Sequence, residues 1–201
     1  MIHIEAEKHR LTHRSMFYLC HFLPMRFTLQ KSVKKTNQYL YKMNYFELFE
    51  LPISIQIDRT KLAQKYFELQ KKYHPDFFAN ATEYEQEQAL EISSQLNKAL
   101  KIFKNKDQTI KYVLQLKDLL EEEEKYQLPP EFLMEMMDLN EELNEGSAQQ
   151  IEALETQLYS DVQTIIENYN HATATTADLL KLKEYYYKKK YLQRILDRLE
   201  G

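Results

Sequence analysis

The chain has 201 residues, 27 Lys/Arg against 31 Asp/Glu, only 2 Gly and 5 Pro, and one cysteine. That length holds one mid-sized domain or two small ones, and so few turn residues disfavour sandwiches, barrels, Rossmann sheets and glycine-rich phosphate loops in favour of an all-α fold. Cys20 alone builds neither an intramolecular disulfide nor a cysteine-held metal site, and no run approaches the roughly 18 apolar residues of a membrane span.

Charge divides the chain just before Met43. Residues 1–42 hold eight Lys/Arg against two Glu, a charge of +6, which leaves 19 basic and 29 acidic side chains, −10, for residues 43–201. An acidic body argues against nucleic acid as a partner, since phosphate neutralisation needs a basic face. The leader contains a short apolar patch, Met16 to Met25, broken by His21 and Pro24, then a Lys-rich stretch. It reads as the product of a start upstream of a true one at Met43, or as a disordered or targeting arm. His3, His9, His13 and His21 lie there beside Cys20, without the packed surroundings that a metal site requires.

From Met43 the pattern turns periodic. Tyr45, Phe46, Leu48, Phe49 and Leu51 predict a short helix closed by Pro52. Asp58 suits the N-cap of a second helix running to Tyr73, with Leu62, Tyr66, Leu69 and Tyr73 as its apolar stripe and Lys61, Lys65 and Lys72, with Lys71 beside them, as a basic one. His74-Pro75-Asp76 forces the chain out of the helix. Thr82-Glu83-Tyr84-Glu85 is a capping box, and Ala89, Ile92, Leu96, Ala99 and Phe103 then repeat a matching stripe, so the two helices form an antiparallel hairpin.

Short helix, basic helix, His-Pro-Asp loop and long third helix together resemble a J-domain, the module that binds 70-kDa heat-shock chaperones and triggers their ATP hydrolysis. The resemblance implies that Lys61, Lys65, Lys71 and Lys72 meet an acidic surface on the chaperone, and that His74, Pro75 and Asp76 engage its interdomain coupling. An enzymatic use of His74 and Asp76 is not expected, because no nucleophile or oxyanion donor accompanies them.

A helix around Asp107 to Lys117 closes this module, residues 43–118. Glu121 to Glu124 mark residues 119–128 as a solvated acidic linker. Pro130 suits the first turn of a new helix, on which Phe132, Met136, Leu139 and Leu143 form the core stripe. A second helix begins at Ser147, after Gly146, with Ile151, Leu154, Leu158, Val162, Ile165 and Tyr169. A third follows Thr175-Thr176, with Leu182, Tyr185, Leu192, Leu196 and Leu199. Residues 129–201 therefore read as a three-helix antiparallel bundle.

The first helix of this bundle carries an anomaly. At ~100° per residue, Leu133, Met134 and Met137 fall far from the Phe132 stripe, and the same face runs on into Glu141 and Glu145, with Asp138 on its flank. An ordinary one-sided helix is polar there, so the patch predicts a docking face or a helix buried against the J-type module.

Three runs resemble the HscB family of J-proteins: Met43-Asn44-Tyr45-Phe46-Glu47-Leu48-Phe49-Glu50-Leu51-Pro52, Tyr73-His74-Pro75-Asp76, and Phe132-Leu133-Met134-Glu135 followed by Glu141-Glu142-Leu143. That resemblance implies an L-shaped, two-domain co-chaperone of iron–sulfur cluster biogenesis, whose bundle binds an IscU-type scaffold protein and presents it to an HscA- or DnaK-type chaperone. Leu133, Met134, Met137, Asp138, Glu141 and Glu145 match the scaffold-binding helix, with Asp138 where the family has Glu. Tyr185 matches an aromatic on the last helix, Tyr186 and Tyr187 being neighbouring registers. Relatives with paired CxxC motifs hold metal; this chain has none, and neither metal nor cofactor is expected. A bacterial cytoplasm is the implied location, with the mitochondrial matrix as the alternative. A general J-protein with another client, or a helical adaptor without an ATPase partner, remain the competing readings of the residues.

Overall fold

Seven α-helices and one 3-10 turn make up the described residues, with no strand among them. The computed structural model describes residues 43–141 and 147–200, all within one compact unit spanning Tyr39–Gly201. The leader with Cys20 and its four histidines lies outside the described residues, as do Leu143 and Glu145, and so do the side chains of Glu141 and Leu199.

Helix α1 (Tyr45–Leu48) starts where the sequence places it, because Asn44 and Glu47 cap each other reciprocally: each side chain accepts the other's backbone N–H at 3.0 Å. One turn of helix is marginal alone. Burial holds it: Phe46 and Phe49 are fully buried against Phe103, at ring separations of 4.7 and 5.7 Å, and Tyr45 stacks on Tyr112. The helix closes through Glu50, whose φ is 52°, with Leu51 N–H donating to the Phe46 carbonyl at 2.9 Å and Glu50 N–H to that of Glu47 at 3.0 Å. These are the two bonds of a Schellman cap, with glutamate in the left-handed position usually given to glycine.

Helix α2 (Arg59–Tyr73) is capped by Asp58, whose carboxylate accepts from Thr60 and Lys61 N–H at 2.9 and 3.1 Å. It ends at His74, extended at φ −65° and ψ 131° as a residue before proline must be. A 3-10 turn, Pro75–Phe78, then leads to α3 (Glu83–Lys104), opened by the Thr82/Glu85 capping box. All five predicted stripe residues of α3 are buried, Leu96 and Ala99 completely. Asn105 alone separates α3 from α4 (Lys106–Leu116), its side chain capping the new helix at Gln108 N–H. Asp118, with φ 54°, repeats the Schellman closure: Leu119 N–H reaches the Leu114 carbonyl at 3.0 Å and Asp118 N–H that of Gln115 at 3.0 Å.

The bundle consists of α5 (Pro130–Glu141), α6 (Ser147–Glu167) and α7 (Thr176–Glu200). Phe132 and Met136 of α5 meet Ile151 of α6 and Leu192 and Ile195 of α7 in a small core of their own. Near the end of α6 the fully buried residue is Ile166, and the expected stripe residue Ile165 is only partly buried against the core. Helix α7 begins at another reciprocal cap, Asp178 N–H donating to Thr175 Oγ1 at 3.2 Å and Thr175 Oγ1 donating to the Asp178 carboxylate at 2.6 Å.

The modules share their largest core. Val162, Ile166, Leu179, Leu182, Tyr185 and Tyr186 of the bundle belong to the same buried cluster as Phe46, Leu96, Ile110 and Leu114. Residues 119–128 are pinned at a few points: Leu119 and Leu120 join this core and Leu128 packs against the smaller one, while Glu121, Glu122 and Glu123 are exposed, as the acidic run predicts. Leu120 is 5% exposed, Glu124 accepts a hydrogen bond from Lys183, and Tyr126 stacks on Tyr187 with centroids 4.4 Å apart and planes 4° from parallel. Of the four glutamates only Glu124, paired with Lys183, is drawn against the bundle.

Candidate functional site

The first candidate surface is the His-Pro-Asp loop and the helix leading into it. Pro75 occupies the first position of the 3-10 turn, where its missing N–H costs nothing. His74 Nδ1 accepts from Asp76 N–H at 3.3 Å, and Phe77 N–H donates to the His74 carbonyl at 3.0 Å. With Nδ1 engaged as acceptor, the neutral ring carries its proton on the other nitrogen, and the side chain is 46% exposed. The Asp76 side chain is 87% exposed and lies 3.6 Å from His74 Nδ1. The loop thus fixes its backbone internally and leaves its two charge-bearing groups facing outward.

The four predicted lysines are not equivalent. Lys61 is exposed and reaches Asp58 at 3.8 Å. Lys65 has a side chain only 33% exposed, pairs with Glu50, and lies 3.8 Å from Glu68. Its hydrogen bond holds the Glu50 carboxyl below the ordinary carboxylate range and raises the lysine in turn. Lys71 and Lys72 are exposed, and among the described residues they form no ion pair; Lys72 Nζ sits 5.0 Å from the Tyr73 ring centroid. The basic surface is therefore carried by Lys61, Lys71 and Lys72, while Lys65 ties α2 to the cap of α1.

Two aromatics on this surface escaped the sequence reading. Phe67 of α2 is 71% exposed and Phe77 of the 3-10 turn 70% exposed, with Phe77 edge-on to His74 at 6.1 Å. Phe67 lies ~140° around the helix from Leu62, off the apolar stripe, which was the available signal.

The second surface is the outward face of α5. Met134 and Met137 are 63% and 61% exposed, Asp138 is exposed, and Leu133 is half-buried. Phe132 and Met136 point the other way, into the core. The helix is thus apolar on both sides, and its outer side does not pack against the J-type module. Glu141 closes the helix with its side chain outside the description, and Glu145 lies outside it altogether.

Tyr185 does not share that surface, and the expectation for it is corrected. It is 4% exposed, packed in the joint core with its ring 6.4 Å from that of Tyr159, and burial pushes its phenol up to about 12. Tyr185 also fell on the core stripe of its helix, and packing has claimed it. Neither neighbour replaces it: Tyr186 is buried, and Tyr187 lies under Tyr126 with its phenol raised to about 12 by burial and by Glu124.

Among the described residues no group of His, Cys, Asp or Glu side chains is arranged to hold a metal ion, and no helix is long and apolar enough to cross a membrane.

Comparison with known proteins points to one family. A family model described as the HSCB C-terminal oligomerisation domain matches residues 128–200. The "Co-chaperone protein HscB homolog" of Vibrio cholerae serotype O1 (strain M66-2) is 39% identical over 107 residues, covering 53% of this chain and 63% of that protein. Its counterpart in Shewanella pealeana is 42% identical over 104 residues, covering 51% and 60%. The chain thus spans less than two thirds of the curated relatives it matches in sequence. Among solved structures, chaperone HscB from Vibrio cholerae is 30% identical, with 78% of this chain and 99% of that one covered at a TM-score of 0.54. Human co-chaperone HscB is 24% identical over 79% of this chain and 81% of that one, with a TM-score of 0.64, and shares the fold.

A helical hairpin with His-Pro-Asp at its turn, packed on a bundle with an uncovered helix face, is the architecture of a J-type co-chaperone. Within that class the chain belongs to the HscB family.

Proposed function

We propose that the protein is a non-enzymatic co-chaperone of iron–sulfur cluster assembly. It stimulates the ATPase of an HscA- or DnaK-type 70-kDa chaperone and delivers an IscU-type scaffold to it, in the bacterial cytoplasm or, alternatively, the mitochondrial matrix. The observation that carries the reading is that one compact unit exposes both His74-Pro75-Asp76 beside a basic helix and an unpartnered Met134/Met137/Asp138 face.

The chemistry at the first surface is electrostatic. Lys61, Lys71 and Lys72 steer an acidic partner, so association is faster at low salt. Asp76, 87% exposed, adds little to the fold and is available to a cation that couples the partner's nucleotide and client domains. At the second surface the flexible thioethers of Met134 and Met137 adapt to an apolar patch, and Asp138 pairs at its rim. The protein shifts a partner's conformational equilibrium and performs no bond chemistry.

Two variants separate the halves of the proposal. Asp76→Asn leaves the melting temperature unchanged and lowers ATPase stimulation more than about tenfold, while scaffold binding by calorimetry is retained. Met134→Ser with Met137→Ser does the reverse: scaffold affinity falls by about tenfold or more, and stimulation without scaffold persists. Undiminished stimulation by the first variant, or undiminished scaffold binding by the second, contradicts the corresponding half.

A further inference from the structure

Beside the docking face, α5 and α6 are parted by a groove of about 490 Å³ lined by Glu135, Met136, Asp138, Leu139, Gln150, Ala153, Leu154 and Gln157. Its floor is apolar: Met136 is 1% exposed, and Leu139 and Leu154 are partly buried against the bundle core. Its rim is polar and one-signed, with exposed Glu135 and Asp138 on the α5 side, exposed Gln150 and Gln157 on the α6 side, and no Lys or Arg in the lining. The groove also continues the docking face. Successive residues at ~100° put Met134, Asp138 and Glu135 in that order around α5, about 40° and 60° apart, so Asp138 belongs to both surfaces.

We infer that the scaffold docked on α5 inserts a basic side chain, the apolar stem of a lysine or arginine with its cationic head, into this groove. The stem covers Met136, Leu139 and Leu154, and the head meets the Glu135 and Asp138 carboxylates at the rim. A charged tip on an apolar stem matches a site apolar below and acidic above, and neither a purely apolar nor an acidic side chain satisfies both. This rests on the scaffold-docking reading of α5 and extends it to α6.

Ala153 provides the test, because it is exposed on the α6 wall and its replacement leaves the helix and the core intact. Binding of a purified IscU-type scaffold to the full chain is measured by calorimetry for Ala153→Arg and Ala153→Glu, which are long side chains of opposite charge. Ala153→Arg weakens binding by about tenfold or more, through an internal cation that occupies the rim and repels the incoming one, while Ala153→Glu leaves affinity equal or higher. No effect of either, or equal weakening by both, overturns the inference. A change in the protein's own sedimenting mass with scaffold binding unaltered assigns the groove to a second copy and also overturns it. Met134→Ser with Met137→Ser, measured alongside, keeps the two readings apart: loss of binding there with no effect at Ala153 leaves the α5 face standing and removes the groove.

Discussion

Lys189 ties the J-type module to two helices of the bundle at once. Its ammonium sits 3.0 Å from Asp107 at the start of α4 and 2.7 Å from Glu155 on α6, with a side chain 23% exposed. Burial alone lowers such a lysine's pKa, but the hydrogen bonds it donates to Glu155 and Asp107, with the Asp107 charge, outweigh it and the group is raised. Its charge therefore persists through the physiological range and is lost only at alkaline pH, above the ordinary lysine value. Lys189→Met leaves two carboxylates facing each other without a cation. Removing one member of a fully buried pair costs ~3–5 kcal/mol; here Asp107 and Glu155 keep 31% and 33% exposure, so about 2 kcal/mol is expected, read as a lower denaturant midpoint at constant slope. An unchanged midpoint contradicts the clamp. Nothing in the sequence singled Lys189 out, because Glu155 becomes its neighbour only when the bundle forms and Asp107 only when the bundle packs on α4. His74, Pro75 and Asp76 were legible for the opposite reason: proline and its neighbours act locally, and the turn they make is contained within four residues.

At the scale of the element, what could be read was what the backbone decides within a few residues. The caps at Asp58 and Thr82 formed at their predicted positions because a side-chain oxygen two or three residues from an orphan N–H needs no tertiary help. The α5 stripe and its second face were equally legible, since helical period alone places Phe132 and Met134 on opposite sides. Tyr185 was not, because period assigns a face but not the neighbour that covers it. The acidic run before α5 was legible for Glu121, Glu122 and Glu123, which are exposed; the packing of Glu124 and Tyr126 on Lys183 and Tyr187 was not, because it depends on α7. With only 2 Gly in the chain, α1 and α4 close through Glu50 and Asp118 in left-handed conformations. Glu50 is compensated by its pair with Lys65. Asp118 is exposed and, among the described residues, has no such pair, so Asp118→Gly removes a local strain and stabilises by about 0.5–1 kcal/mol, seen as a higher melting temperature. A lower one shows that Asp118 contributes a contact that outweighs its backbone conformation.

Across the whole molecule, the joint between modules bears directly on function. Their common core is reinforced at its edge by Lys106 to the Tyr159 hydroxyl at 2.7 Å, by Lys117 to the His171 carbonyl at 2.7 Å, and by Glu124 with Lys183. Most of these contacts link residues more than fifty positions apart, which is why the sequence supported two modules and said nothing of how firmly they are joined. A packed joint gives the proposed delivery its physical content: in that proposal a scaffold held on α5 is carried on the same chain to a chaperone engaged by the His-Pro-Asp loop, raising its effective concentration there. The measurement that tests this most directly is chaperone ATP hydrolysis with scaffold at limiting concentration. It compares the unaltered chain with an equimolar mixture of Asp76→Asn and Met134→Ser/Met137→Ser chains. Each variant keeps one intact surface, so the mixture contains both functions on separate molecules. If one chain must link client to ATPase, the mixture falls well below the rate of the unaltered chain; a mixture that matches that rate contradicts delivery as the protein's role.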